Sequence, residues 1–214
     1  MKWSKLKFWK SGEWQVIQER LHDMSRRKIL YNPERKNLFA AMEAVKLDDV
    51  RVVIMGQDPY PNRAIATGIA FSIPKGYKPF PPTLVNIFKE YSDDLHLPTP
   101  DDGDLTPWCE QGVLLWNSVP TCRDGLPASH REWDEWSYLT KEIIEILDQR
   151  PSMIFCLLGR FARDFAKYIN NSEVIETSHP SPLGAHYGFF GSRIFTSINS
   201  KLVEYGETPI NWRL

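Results

Sequence analysis

The sequence predicts an α/β fold: a single domain with a central four-stranded parallel sheet flanked by helices on both faces. Three observations carry that prediction. Short apolar runs rich in β-branched residues recur at 51–55 (RVVIM), 113–116 (VLLW), 153–158 (MIFCLL) and 174–177 (VIET). Longer stretches with helical apolar spacing lie between or after them. No linker-like stretch divides the 214 residues, a length that suits one substantial domain. Strands that alternate with helices pair in parallel and need cover on both faces.

Residues 1–50 read as a helical part of the same domain, so the domain spans 1–214. EWQVIQERLHDMSRRKIL (13–30) is amphipathic, and RKNLFAAMEAVK (35–46) comes after the break at Asn32-Pro33. The run at 51–55 is a buried strand punctuated by Gly56. TLVNIFKEYSDDL (83–95), WDEWSYLTKEIIEIL (133–147) and GRFARDFAKYI (159–169) supply the covering helices.

Composition excludes several classes. Hydrophobic residues make up 42% and charged residues 25%, enough for a core and too polar for a membrane protein. No stretch approaches the ~20 apolar residues of a membrane span. The basic start, MKWSKLKFWK, lacks the apolar centre of a secretory signal, which predicts an intracellular, cytoplasmic protein. Cys109, Cys122 and Cys156 are odd in number and scattered, with no CxxC pattern. That argues against a disulfide framework or a structural metal and predicts chemistry without metal or cofactor. Net charge is −1, which does not advertise a nucleic-acid binder. Lys2, Lys5, Lys7 and Lys10 cluster with Trp3, Phe8 and Trp14, and Arg26, Arg27 and Lys28 form a second cluster. Either reads as a phosphate contact or, more simply, as a solvated face.

The segments at the strand ends are more telling. Gly56-Gln57-Asp58-Pro59-Tyr60-Pro61 succeeds the first strand, Asn117-Ser118 the second, Gly159-Arg160 the third, and Ser178-His179-Pro180-Ser181 the fourth. In a parallel sheet all four segments leave at one edge, the edge where open α/β sheets bind ligands. GQDPYP alone is a common turn, because Asp before Pro is turn chemistry. Convergence of Asp58, Asn117 and His179 on one crevice makes it a candidate site.

GQDPYP (56–61), GIAFS (68–72), PPTLVNIFKE (81–90), QGVLLWNSV (111–119), HPSPLGAHYGFFGSRIF (179–195) and a closing PINW (209–212) together resemble the family 1 uracil-DNA glycosylases. The motifs are in the family's order and span about residues 50–213. The resemblance implies a four-stranded parallel sheet and hydrolysis of the bond joining uracil to deoxyribose in DNA. It implies no metal or cofactor, uracil-containing DNA (single- or double-stranded) as substrate, a proteinaceous inhibitor as a partner, and a monomer.

Roles carry over residue by residue. A base must leave the duplex to be reached. Phe71 matches the aromatic floor that stacks on it. Asn117 matches the edge reader, whose amide and carbonyl complement uracil O4 and N3–H; cytosine reverses that pattern and leaves buried groups unpaired at about 1–3 kcal/mol each. Tyr60, between two prolines, matches the steric gate against the thymine methyl. Asp58 matches the group that stabilises the cationic sugar and positions water, and His179 the donor to uracil O2 as negative charge develops there. Gln57 shapes the pocket through its backbone. Leu183 matches the wedge that fills the vacated stack. Thr83, Pro81, Pro82, Gly159, Arg160 and Ser181 match loops that press on the DNA backbone.

Taken singly, these residues have plainer readings: Phe71 as core, Asn117 as a helix cap, His179 as a loop histidine, Leu183 as an exposed leucine, Tyr60 as loop packing. Trp108, Trp116, Trp133 and Trp136, and His22, His96, His130 and His186, carry no functional reading. The chain departs from the family at Pro61, usually His; at 62–67 (NRAIAT); at Arg160, often Ser; and at Gly184, commonly Ser. These departures predict an active enzyme with an altered grip on DNA. They also motivate the alternative, a DNA-binding or processivity subunit that kept the fold. A mismatch-type glycosylase would typically carry Asn at 58, and a DNA-mimicking inhibitor would need a strongly acidic surface.

Overall fold

The computed structural model describes residues 1–214. Two short 3₁₀ helices, Trp3–Lys5 and Lys7–Lys10, precede helix α1 (Gly12–Arg26), the two-residue strand β1 (Tyr31–Asn32) and α2 (Ala40–Ala44). Strand β2 (Val52–Gly56) is followed by a long loop, α3 (Pro82–Leu95), α4 (Thr106–Cys109) and β3 (Val113–Asn117). A short β4 (Cys122–Arg123) pairs antiparallel with β1. Then come α5 (Asp134–Leu147), β5 (Ile154–Leu158), α6 (Arg160–Arg163), β6 (Glu173–Thr177) and α7 (Ile194–Glu204).

The main sheet is parallel throughout, in the order β3-β2-β5-β6. β2, β3 and β5 are buried along their whole length. Side chains alternate across the sheet, as the pleat requires. Val52, Ile54, Val113, Leu115, Ile154 and Cys156 join α3 and α7 in one core. Val53, Met55, Leu114, Trp116, Phe155 and Leu157 join α1 and α5 in the other. The four strands therefore lie where their apolar runs predicted, each within a residue at either end.

The amino-terminal segment is part of the second core. Phe8 and Trp136 are fully buried. Trp9 packs edge-on against Trp14 and Phe39, at 5.7 and 4.9 Å between centroids. The Glu142 carboxylate of α5 accepts the Lys7 and Phe8 backbone N–H groups. The aromatic residues are thus structural, and Lys2, Lys5, Lys7 and Lys10 stand on the surface.

Three helical expectations change. The first helix stops at Arg26, because Lys28 takes a left-handed conformation (φ 56°) and the chain extends to pair with β4. The second shrinks to 40–44 after a 3₁₀ turn at Arg35–Asn37. The third, expected over 159–169, breaks after Arg163 and returns only as a 3₁₀ turn at Ala166–Tyr168. There the buried Asp148 carboxylate collects the N–H groups of Asn170, Asn171 and Ser172 and turns the chain toward β6.

Helix α7 has no counterpart in the sequence reading. Two buried carboxylates of α3 organise its start. Glu90 accepts from the N–H groups of Gly191 and Arg193, both at 2.7 Å. Asp94 accepts from Phe195 and Thr196 N–H, both at 3.0 Å, and from the Thr196 hydroxyl at 2.6 Å. Anions at a helix N-terminus satisfy its free donors. Replacing Asp94 strands several of them in the core. Asp94→Ala is expected to cost about 3 kcal/mol. In thermal unfolding that lowers Tm by roughly 6–12 °C for a domain of this size, and Asp94→Asn gives a smaller loss.

Candidate active site

Outside the carboxyl ends of the sheet lies a cleft of about 730 Å³. It sits where β2 sends its neighbours to opposite sides, the crossover point of the strand order. Every strand-end segment singled out in the sequence reaches it. Gln57, Asp58 and Tyr60 come from the end of β2, Asn117 from β3, Gly159 and Arg160 from β5, and His179, Ser181 and Leu183 from the loop after β6. Phe71 and Thr83 line it from the loop between β2 and α3 and from the start of α3. Pro81 and Pro82 are not among the lining residues; they cap and open α3, one step before Thr83.

Asp58 is desolvated, and burial pushes its carboxyl above the ordinary range. The Ala128 backbone N–H donates to Oδ2 at 2.6 Å and pulls the other way. Tyr60 is similarly enclosed; burial raises its phenol, so the hydroxyl keeps its proton and donates to Phe71 O at 3.0 Å. Phe71 has φ 66°, a strained conformation for a residue with a side chain. Its ring lies against β2 so closely that a Cβ on Gly56 would stand 2.6 Å from ring atom Cζ. Gly56 is therefore the space in which the ring rests.

Asn117 is 7% exposed and pairs in register with Gly56, which brings it beside the Phe71 ring's resting place. His179 sits with its ring centroid 6.1 Å from that of Phe71. Burial lowers its pKa to about 4, so it is neutral at pH 7. The Ser181 N–H donates to Nδ1 at 3.0 Å. Nδ1 is thus an acceptor, and the ring proton belongs on Nε2. Gly159 has φ 89°, and a Cβ there would meet His179 Cβ at 2.7 Å.

The rim differs in character from the cleft. Leu183 is 89% exposed, an apolar side chain held out at the edge of the cleft. Phe161, next to Arg160, has guanidinium groups near its ring from Arg160 at 5.5 Å and from Arg131 at 4.8 Å. The three cysteines are buried, and burial pushes their thiols up to about 12, far from nucleophilic character at neutral pH. No group of three His, Cys, Asp or Glu side chains comes together as metal ligands would.

Residues 43–203 match the family described as the uracil DNA glycosylase superfamily. The chain belongs to that superfamily. The uracil-DNA glycosylase of Mycolicibacterium vanbaalenii is 46% identical over 185 residues, covering 86% of this chain and 81% of that protein. The one from Enterococcus faecalis is 43% identical over 204 residues, covering 94% and 89%. The crystal structure of mimivirus uracil-DNA glycosylase matches with a TM-score of 0.89 at 25% identity, over 97% of this chain and 85% of that one. A variant of the mimivirus protein in complex with UGI matches at 0.87 and 26%, over 97% and 87%.

In this superfamily member the cleft also has parts that sequence reasoning missed. Pro127 and Phe161 line it, and the Ala128 amide reaches Asp58. Backbone donors leave no signature in residue type; the one local signal for this loop is the turn-forming pair Asp124-Gly125, to which the sequence reading assigned nothing. His130, to which the sequence assigns no role, is 3% exposed with a pKa near 4 from burial. The depressed values of His130 and His179 have a consequence for stability. From about pH 6.5 down to about 4 the unfolded chain binds protons on these two residues that the folded chain refuses. Their contribution is fully present above that window and lost as pH falls through it. Urea unfolding at pH 7.0, 5.5 and 4.5 is expected to show a falling midpoint, and replacement of both histidines is expected to flatten that trend.

Proposed function

We propose that this chain is a uracil-DNA glycosylase that takes an extrahelical uracil into the cleft and hydrolyses its glycosidic bond, with Asp58 and His179 meeting the two charges that develop. The observation that carries the reading is the placement of an enclosed carboxylate, a neutral imidazole, a buried amide and an aromatic ring on one cleft. Uracil stacks on Phe71. Asn117 reads its O4 and N3–H edge, and Tyr60, tied to Phe71 O, stands against a 5-methyl group. Stacking of a flipped base and reading of its pairing edge are the general demands of such a pocket.

Bond cleavage puts positive charge on the sugar and negative charge on the base. Asp58, ionised and desolvated, stabilises the first and orients the attacking water. His179 Nε2–H donates to uracil O2 as the second appears. Preorganised groups in a desolvated site act strongly on such charges. Protein groups meet both, so the scheme runs without a metal ion. The product is an abasic site, which base excision repair then restores.

DNA binding uses the rim. Leu183 fills the space vacated by the uracil, at a site where unstacking must be offset. Thr83 and Ser181 donate to phosphates, Pro81 and Pro82 press on the backbone, and Gly159 admits close approach. Arg160 replaces a neutral phosphate contact by an ionic one, which strengthens binding and makes it depend on salt. The likeness to a relative in complex with UGI supports a proteinaceous inhibitor as a partner. No helix is long and apolar enough to cross a membrane, and a DNA substrate places the work inside the cell.

The test is a labelled oligonucleotide with a single uracil, with thymine and cytosine controls, in EDTA, followed by alkali. Strand breakage at uracil alone is expected, and Asp58→Asn is expected to lower it about a thousandfold, roughly 4 kcal/mol of barrier. Binding without breakage would instead identify a DNA-binding subunit. Gly159→Ala, which drives a methyl group into His179, is expected to cost about a hundredfold in kcat through misplacement of the donor.

A further inference from the structure

Residues 56–61 contain two prolines, so this loop has few N–H groups and many carbonyls that need partners. Those partners come almost entirely from one segment, residues 118–128. Ser118 N–H donates to Gly56 O at 3.1 Å and Val119 N–H to Gln57 O at 2.8 Å. The Cys122 thiol donates to Pro59 O at 3.5 Å, and Gly125 N–H to Pro61 O at 2.7 Å. Asn32 Nδ2 reaches Tyr60 O at 3.3 Å. The last contact is to a side chain: Ala128 N–H to Asp58 Oδ2, at 2.6 Å.

Ala128 lies in an irregular stretch and itself has φ 58°. Two residues beyond it the chain is anchored. His130 Nδ1 lies 2.9 Å from Thr121 Oγ1. That hydroxyl already accepts the Trp136 indole N–H at 2.8 Å, so its own proton is free to go to Nδ1. The imidazole lies flat on Trp133, with centroids 3.8 Å apart and planes 5° from parallel. Ser129 Oγ accepts the Arg123 N–H at 2.6 Å and closes the loop on itself.

We propose that His130 is a positioning residue for uracil excision: by pinning the loop 121–130 to Thr121 and Trp133, it holds the Ala128 N–H on the Asp58 carboxylate. The inference rests on the assignment of Asp58 as the catalytic carboxylate. Ala128 N–H is the one group that counters the effect of burial on Asp58. Loss of that donor raises the carboxyl further and moves the acid limb of the activity profile to higher pH. Three other titratable groups around Asp58 stay silent between about pH 5 and 9, and the Asp124 carboxylate on the same loop accepts from Asn32 Nδ2 and the Arg63 N–H. The Cys122 thiol is pushed up to about 12, the Tyr60 phenol is raised, and His179 is held at about 4. Beside His130, Arg20 lies over the Trp133 ring and pairs with Glu135, and His130 itself, at about 4, is neutral across that range.

Single-uracil oligonucleotide kinetics from about pH 4.5 to 9 test this with the full chain. His130→Phe keeps a flat ring on Trp133 but offers Thr121 no acceptor. It is expected to lower kcat about tenfold with KM nearly unchanged, and to shift the acid limb upward. His130→Asn, whose amide restores the acceptor, is expected to recover most of both. In parallel, the Ala128 amide resonance is expected to titrate with Asp58 in the wild type and to lose that response in His130→Phe. A folded His130→Phe with the wild-type kcat, acid limb and amide titration overturns the proposal, as does a loss confined to thermal stability. If that variant does not fold, Thr121→Val removes the same bond from the other side and is read in the same way. Absence of uracil excision in the wild type would strike the functional reading alone, because the amide titration reports the Ala128–Asp58 contact without catalysis.

Discussion

Parallel pairing is the constraint on which the site depends. Because β3, β2, β5 and β6 all run the same way, their ends share one edge, and residues far apart in sequence become neighbours there. Register does the fine placement. Gly56 opposite Asn117 sets the residue that leaves room for the aromatic ring beside the amide facing the same cleft. The helices on both faces bury the strands, and the strand ends are left as the place where polar side chains can face a ligand.

Electrostatics at that edge depend on desolvation acting oppositely on two kinds of group. Burial disfavours the charged form, so it raises a carboxyl and lowers an imidazole. His179 is left neutral with a defined tautomer, because Ser181 N–H occupies Nδ1. In the same surroundings burial raises the Asp58 carboxyl, and a single backbone amide works against it. The cleft thus presents a donor that costs no charge and a carboxyl group that accepts one backbone hydrogen bond.

How much of this was legible in the sequence depended on the kind of interaction. The strands were legible because fully buried parallel strands are continuous apolar runs, and their bounds fall within a residue of the observed ones. Gly56, Asp58 and His179 stood out because strand-end loops concentrate the residue types that turn chains and bear charge. Helix α7 was not legible: its start is satisfied by Glu90 and Asp94, about a hundred residues away, and its own sequence mixes Thr, Ser and Asn with the apolar positions. The broken segment at 159–169 misled because its apolar spacing is helical while Asp148 captures the backbone beyond it. The Ala128 amide could not be read at all, since an N–H is common to nearly every residue. His130 was passed over because burial, not residue type, gives it significance.

The bond from the Tyr60 hydroxyl to Phe71 O means that, in the proposed scheme, the residue set against a methyl group and the ring set under the base are one unit. Phe71 holds a left-handed backbone, and the ring above Gly56 has no slack on that side. Selectivity and affinity are consequently not separate traits that natural variation or an engineer can adjust one at a time. A smaller residue at 60 widens the entrance and also releases the backbone that carries the platform. Any lineage that broadens the range of accepted bases by this route inherits a looser platform, and has to recover it through changes elsewhere in the loop between β2 and α3.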